Sequence, residues 1–368
     1  MKKILKILMI VFLTLFVFVF GFIFTLQIFE YRPNDITILE ISNNPEVSSE
    51  NYIDLLDELT IMTFNIGYAS LSETEDFVMD GGTKGRMDSS ELVQENLSGI
   101  ANILTENPAD IYLIQEVDVD SNRSYNLNQL DFLDEILGKS SVLAYNYRSI
   151  FAPFPFSLTQ MMGKVNSGIA TYSDYYSEEA SRVQLPGSFP WPIRLVNLKR
   201  CILISRYPIK DNDNYLVVIN VHLSAYDDGS MRKQEMEALI NIMKEEYDAG
   251  NYVIVGGDFN QTFPDAVTFY PNGSFEYLYP LREQGLWEAF PLEDELFDDS
   301  GFIFAVDTST PTCRLVDKPY DATNSSNNQY YLIDGFIISN NINLISVETL
   351  NENFKYSDHN PVVMKISF

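Results

Sequence analysis

Histidine and cysteine are nearly absent from this 368-residue chain, which holds two of each. Two cysteines cannot build a disulfide-stapled scaffold or a cysteine-based zinc cluster. Cys201 sits in an apolar run and Cys313 in a Thr/Pro-rich stretch, so both are expected to be unpaired. Any chemistry that needs imidazole falls to His222 or His359. Positive charge is scarce as well: 24 Lys and Arg stand against 52 Asp and Glu, a net charge of −28. Three of those lysines lie before residue 7, so residues 30–368 carry 21 basic and 52 acidic side chains, a net of −31. A body that acidic, with no linear basic stripe, repels polyanions beyond a Debye length of roughly 8 Å at physiological salt, which disfavours broad contact with nucleic acid. Phosphate chemistry stays open, because a bound divalent cation reverses the field locally. Glycine (18) and proline (16) are at ordinary levels and no internal repeat is present, so collagen-like and linker-dominated classes drop out. The 46% hydrophobic content suffices for a sizeable core, in one large domain or two ordinary ones.

The long apolar run comes first. Residues 7–29 read ILMIVFLTLFVFVFGFIFTLQIF, 23 residues without a charge. Rising about 1.5 Å per residue as a helix, they cover roughly 34 Å against a hydrocarbon core of about 30 Å. Lys2, Lys3 and Lys6 precede the run, whereas Glu30, Asp35 and Glu40 follow it. The positive-inside rule therefore predicts a cytoplasmic N-terminus, residues 1–6, and a body outside the cell membrane. A cleaved signal peptide is the competing reading, but Glu30, Tyr31, Arg32 and Pro33 offer no small-x-small cleavage site. A single-pass anchor in the lipid bilayer is expected, with residues 30–58 as a tether to a domain over 59–368.

Beyond residue 58, short apolar runs alternate with amphipathic stretches, the pattern of an α/β domain. LTIMTF (59–64), IYLIQ (111–115), YLVVINVH (215–222), YVIVG (252–256), YLIDGFII (331–338) and PVVMKISF (361–368) read as strands. Val93, Leu97, Ile100 and Leu104 recur at helical spacing, with Asp88 and Glu91 as a possible capping pair. Met236, Leu239, Ile240 and Met243 form a second stripe after a cap at Ser230. Both stripes read as core surface.

Several apolar runs end in a residue that an ordinary sheet does not need: Asn65, Glu116, His222, and Asp258 with Asn260. Asp334 interrupts an apolar strand, and Asp358, His359 and Asn360 immediately precede the last one. Side chains at strand C-termini gather along one edge of a sheet, where α/β proteins place their sites. Carboxylate and amide oxygens with little histidine are hard ligands, suited to Mg²⁺ or Mn²⁺. Phosphoester hydrolysis is the obvious chemistry. It needs a cation to neutralise phosphate, a base for water and a donor for the developing charge.

The pieces TFNI (63–66), IQEVD (114–118), SGIA (167–170), INVHL (219–223), GGDFN (256–260), IDGF (333–336) and SDHNP (357–361), taken in this order, resemble the endonuclease/exonuclease/phosphatase superfamily. That superfamily includes deoxyribonuclease I-like nucleases, sphingomyelinases and inositol polyphosphate 5-phosphatases. The resemblance implies a four-layer α/β sandwich with two central mixed sheets and attack of water without a covalent enzyme intermediate. Carried over residue by residue, it implies Glu116 as the main ligand of Mg²⁺ or Mn²⁺, with Asn65 helping to hold metal or phosphate and Asp358 supporting the metal region or the other histidine. Asp258 would deprotonate the attacking water. Asn260 and His222 would contact phosphate, and His359, oriented by Asp334, would donate to its oxygens. Arg123 and Asn166 are candidate substrate contacts.

Each residue has a plainer reading. Glu116 could be a solvated loop acid, His222 a satisfied core histidine, Asn65 and Asn260 turn formers, and Arg123 a surface arginine. Asp334 is harder to dismiss, because burying an unpaired carboxylate costs several kcal/mol, so a partner such as His359 is expected. Gly256 and Gly257 read as a strand-to-loop turn. The segment 145–195, rich in aromatics and proline, reads first as a braced packing segment and second as an apolar rim for lipid or substrate. The expected activity is phosphoester hydrolysis on a lipid-linked or small phosphorylated substrate. An anchored nuclease and a non-catalytic binding protein on the same scaffold are the alternatives, and no protein partner is implied.

Overall fold

The computed structural model describes residues 2–368 apart from 45, 46, 49, 273, 298 and 299. The chain begins with α1 (Lys2–Ile28), β1 (Ile36–Ile38), β2 (Leu59–Asn65), α2 (Ser90–Glu106), β3 (Ile111–Asp118) and α3 (Gln129–Leu137). Next come β4 (Ser140–Ala152), β5 (Gly163–Ser173), β6 (Glu179–Gln184), β7 (Cys201–Pro208) and β8 (Tyr215–His222). Then α4 (Ser230–Asp248) leads into β9 (Tyr252–Asp258) and the short β10 (Val267–Phe269) and β11 (Phe275–Tyr277). The last part holds β12 (Phe302–Ala305), β13 (Cys313–Arg314), β14 (Tyr330–Tyr331), β15 (Asp334–Ser339), β16 (Asn343–Thr349) and β17 (Val362–Ser367).

Two mixed sheets result. One is ordered β1-β6-β7-β8-β9-β15-β12 and the other β16-β17-β2-β3-β5-β4. Their parallel pairs are β8 with β9 and β2 with β3. Strand alternation sends every second side chain to the opposite face, and that period assembles the layers. Ile61, Leu113, Val218, Ile254, Phe336 and Met364 meet between the sheets. Their neighbours Met62, Tyr112 and Ile114 pack outward on Val93, Leu97, Ile100 and Leu104 of α2. On the other side, Val217, Ile219, Val253 and Val255 pack on Met236, Leu239, Ile240 and Met243 of α4. The fold is the expected α/β sandwich, with both apolar stripes serving as core. Each fully buried aliphatic contributes about 1.5–3 kcal/mol, so the sheets are held chiefly by these three apolar layers.

Local details differ from expectation in three places. The N-cap of α2 is Ser89, whose side chain accepts from Leu92 N at 3.3 Å, while Asp88 pairs with Lys84 instead. For α4 the cap position is Gly229, and Asp227 Oδ2 accepts from the amides of Met231 at 2.8 Å and Arg232 at 3.2 Å. A carboxylate two residues before the cap reaches those free amides, while the Ser230 hydroxyl donates to Asp228 Oδ1 at 2.6 Å. Gly256 and Gly257 lie inside β9. A Cβ at Gly256 would stand 2.6 Å from the Phe336 ring, and one at Gly257 would stand 2.0 Å from Val221 O. Close packing of neighbouring strands therefore demands both glycines.

Described parts of segment 30–58 pair with the body. β1 pairs with β6, Ser42 bridges Ser141, and the buried Ile53 bridges Ile209. α1 is long and apolar enough to cross a membrane. Its last turns touch the body: the Phe22 ring meets Phe151 edge-on at 6.0 Å between centroids, and Gln27 accepts from Trp191 Nε1 at 3.1 Å. Just beyond, Glu30 pairs with Arg32 at 2.9 Å and Lys199 at 3.2 Å. Both cysteines are free and buried.

Candidate active site

The side chains that face the inter-sheet gap change from apolar to polar as the strands reach one edge. On β2 the series is Leu59, Ile61, Thr63, Asn65; on β8 it is Leu216, Val218, Asn220, His222; on β9 Asp258 closes the series of Ile254. β15 runs antiparallel to β9 with Asp334 opposite Asp258, so its first residue reaches the same edge. One layer below, Gln115 Nε2 donates to Asn220 Oδ1 at 2.8 Å and to Thr63 Oγ1 at 3.1 Å, and Asn220 Nδ2 donates to Ala170 O at 2.8 Å. This buried amide layer ties the two sheets together beneath the site.

Simple alternation would turn Glu116 away, toward α2. A register irregularity between Ile114 and Val117 and a φ of +58° at Glu116 turn it back toward the gap. A bulge beside an active centre commonly re-aims one side chain in this way. Asn65 Nδ2 then donates to Asp258 Oδ2 at 3.0 Å and to Glu116 Oε1 at 3.4 Å, while Asn65 Oδ1 accepts from Gly67 N at 3.0 Å. In this orientation Asn65 presents its amide nitrogen to the carboxylates.

Asp258 Oδ2 stands 3.5 Å from His222 Nε2 and 3.8 Å from His359 Nε2. Its other oxygen accepts from Asn260 N at 2.9 Å, and Asn260, at φ +51°, donates its Nδ2 to Leu223 O at 2.9 Å. The far side of the His359 ring meets Asp334, with Nδ1 and Oδ2 2.8 Å apart. His222 Nε2 lies 3.8 Å from Glu116 Oε1, and Asp358 Oδ2 lies 4.0 Å from His359 Nε2. The eight residues assigned to catalysis or metal thus share one edge. They line or back a cavity of about 610 Å³.

A family model described as Endonuclease/Exonuclease/phosphatase family matches residues 62–359. The chain belongs to this family. Among solved structures, the endonuclease/exonuclease/phosphatase from Beutenbergia cavernae is similar at 16% identity with a TM-score of 0.57, covering 84% of this chain and 72% of that one. A functionally unknown conserved protein from Enterococcus faecalis aligns at 14% identity with a TM-score of 0.52, covering 84% and 99%. An endonuclease/exonuclease/phosphatase family protein from Leptotrichia buccalis gives 16% and 0.50, covering 84% and 100%. At these identities the likeness is one of fold. No match was found among curated proteins.

The electrostatics of this family member separate the two histidines. Burial, reinforced by the nearby Arg200, holds His222 well below the ordinary imidazole range, and it is neutral. Burial also works against charge on His359, but Asp334, with Cys313 and Asp358 adding to it, raises that ring well above the ordinary range. Burial raises all three acids facing them. Asp258 is pushed up to about 6, with Asp334 adding to burial. Asp358 is pushed up to about 7, and Glu116 contributes. Glu116 itself is raised, with Asp258 contributing.

The two candidate substrate contacts separate. Arg123 is buried beside the cavity, where Asp118 takes its Nε at 3.0 Å and its Nη2 at 2.9 Å, and its guanidinium lies 3.6 Å over the Tyr68 ring. Asn166 is not brought to the cavity. Its Nδ2 donates to Asp120 O at 3.3 Å and its Oδ1 accepts from Arg148 at 3.4 Å, while the next residue, Ser167, faces inward. Strand alternation explains the difference. Arg200, just before β7, lines the cavity, and its Nη1 is buried with no hydrogen-bond partner among the described residues. Tyr68, Tyr226 and Arg314 line it too and carried no recognisable signal, since they come from a 3₁₀ turn, a loop and a two-residue strand.

Proposed function

We propose that this chain is a divalent-metal-dependent phosphoester hydrolase, working outside the membrane that α1 spans, on a lipid-linked or small phosphorylated substrate. The observation that carries this reading is the position of Asp258 Oδ2 between the two histidines, within 3.8 Å of both, beside a cavity that admits a substrate.

The donor set suits a hard cation. Glu116, Asp258 and Asp358 are all raised by burial and by neighbouring carboxylates, which marks acidic oxygens gathered with too little positive charge among them. Glu116 and Asp358 would hold the ion, with Asn65 fixing Glu116 in place. A bound Mg²⁺ or Mn²⁺ would supply Lewis-acid polarisation and neutralise phosphate charge.

The chain's own residues supply the rest. Asp258 accepts a proton from water, and Asn260 orients that water. The water oxygen bonds to phosphorus as the opposite P–O bond breaks, so configuration inverts and the leaving alkoxide takes up a proton from solvent. A base near pH 6 is well matched to this task. His359, held charged by Asp334, donates to the phosphoryl oxygens as charge grows on them. Neutral His222 contacts phosphate from the other side, with Arg200 behind it.

The test is a panel of sphingomyelin, phosphoinositides, inositol phosphates and plasmid DNA, given to the full chain in Mg²⁺. Release of product from the lipid or small-molecule members is expected. Nicking of plasmid without such release would put the nuclease first.

A further inference from the structure

The cavity is larger than a phosphate group requires, and its two ends differ in chemistry. Asp258, His222, His359 and Glu116 line one end. The other is apolar, built from Phe77, Ala152, Phe154, Met162, Ile193 and Val196. Pockets of this size, about 300–1,000 Å³, bury whole organic ligands. The apolar wall comes from the end of β4 and the loop after it, from the 3₁₀ turn Ile193–Val196, and from Phe77 between β2 and α2. The last turns of α1 pack beside these segments, through Phe22 on Phe151 near the end of β4 and Gln27 on Trp191 just before the 3₁₀ turn. Around them Phe156 is 89% exposed, Leu158 97% and Trp191 56%. Exposed apolar side chains clustered beside a membrane-spanning helix mark a surface that meets lipid. In segment 145–195 the packing expectation holds for part of the chain. Ala152, Met162 and Leu195 are buried packing, whereas the loop tips form an apolar rim.

We propose that the apolar arm of this cavity seats the hydrocarbon chain of a long-chain phosphoester that enters from the bilayer spanned by α1. This deepens the phosphoesterase reading and rests on it. The phosphate of such a ligand lies at the Asp258–His359 end while its chain lies along Phe77, Met162 and Val196. Phe156 and Leu158 at the lip shield the chain from water on the way in. Because α1 is docked on the wall of the arm, the opening is held toward the membrane.

The test measures binding, so it does not depend on turnover. The full chain in lipid nanodiscs is titrated with alkylphosphonates of two, four, six and eight carbons, whose C–P bond is not hydrolysed, and signal from protein-free discs is subtracted. Affinity should rise by about 3,000-fold from ethyl to octyl, because each of the added methylenes, once buried, contributes a factor of about four. In Val196→Asp and in Met162→Gln, the octyl-to-ethyl ratio should fall at least tenfold. Equal affinity along the series, or no binding by any member, overturns the chain seat. A short soluble phosphodiester assayed with Mg²⁺ judges the hydrolase reading separately, so the two can fail independently. Entry from the bilayer is read by ¹⁹F NMR of a bound octylphosphonate fluorinated at its tip. Didodecyl phosphate placed in the same vesicles as the protein should displace the probe, whereas the same lipid in separate vesicles should not. Equal displacement from both sources, or none from either, overturns entry from the bilayer.

Discussion

Asp334 and Asp258 face each other as register partners across β15 and β9, yet they meet opposite sides of one ring: Asp334 Oδ2 is 2.8 Å from His359 Nδ1, and Asp258 Oδ2 is 3.8 Å from His359 Nε2. The antiparallel pairing of two strands thus fixes the spacing between the proposed base and the group that orients the proposed donor. Asp334→Asn should keep the ring in place through the amide oxygen but remove the charge that favours imidazolium. Turnover is expected to fall about 10²-fold through kcat, with little change in KM. A double variant with His359→Ala should be no worse than His359→Ala alone, because the two residues act as one unit. Additive losses would show that Asp334 acts elsewhere.

Asp258→Asn should reduce turnover by about 10²–10⁴-fold, the usual share of a general base. Its thermal midpoint should not drop, since burial and Asp334 already disfavour charge at this position. Activity near that of the unaltered chain would refute the role of Asp258 as base.

Chelation is expected to silence the enzyme, and Mg²⁺ or Mn²⁺ to restore it. A second readout is independent of catalysis. An ion that binds only the folded chain stabilises it by RT ln(1 + [ion]/Kd), about 2.7 kcal/mol at 100 times Kd. The midpoint should therefore climb with added ion, and Glu116→Gln should blunt the rise. A melting curve indifferent to divalent ions would remove the metal from the proposal.

Glu235 provides a pH test away from the metal region. Buried on α4, it accepts from Ser224 N at 2.9 Å and from Ser224 Oγ at 2.7 Å, and burial pushes it up to about 6 from 4.5. A raised carboxylate binds its proton more tightly in the folded chain. Its contribution to stability is therefore fully present below pH 4.5 and is lost as pH rises through about 6. Glu235→Gln copies the protonated form. It should be more stable than the unaltered chain by about 2 kcal/mol at pH 7.5, with the difference vanishing below pH 4.5. Denaturant midpoints at the two pH values check this, and a constant difference would refute it.

Much of this arrangement was legible in the chain itself. YLVVINVH matches β8 from end to end, and the apolar stripes of α2 and α4 are core as their spacing implied. Polar residues at strand ends were visible because they break an apolar period. β4, β5, β6 and β16 were not read, because mixed runs such as SSVLAYNYRSIFA lack the uninterrupted apolar character of a strand buried on both faces. Such strands depend on neighbours for their burial, and neighbours are not local information.

The sequence by itself determined the membrane-length helix, the acidic body, the α/β class and the small set of residues able to do chemistry, because period, charge and residue type are properties of adjacent positions. Tertiary structure alone decided which of them meet. Glu116 faces the gap only through a bulge, Asn166 turns away by one residue of register, and Arg200 enters the cavity from a strand start. The joining of the polar site to an apolar arm beside α1 depends on loops far apart along the chain. Distances between such groups are set by sheet pairing and packing, which no short stretch of sequence encodes.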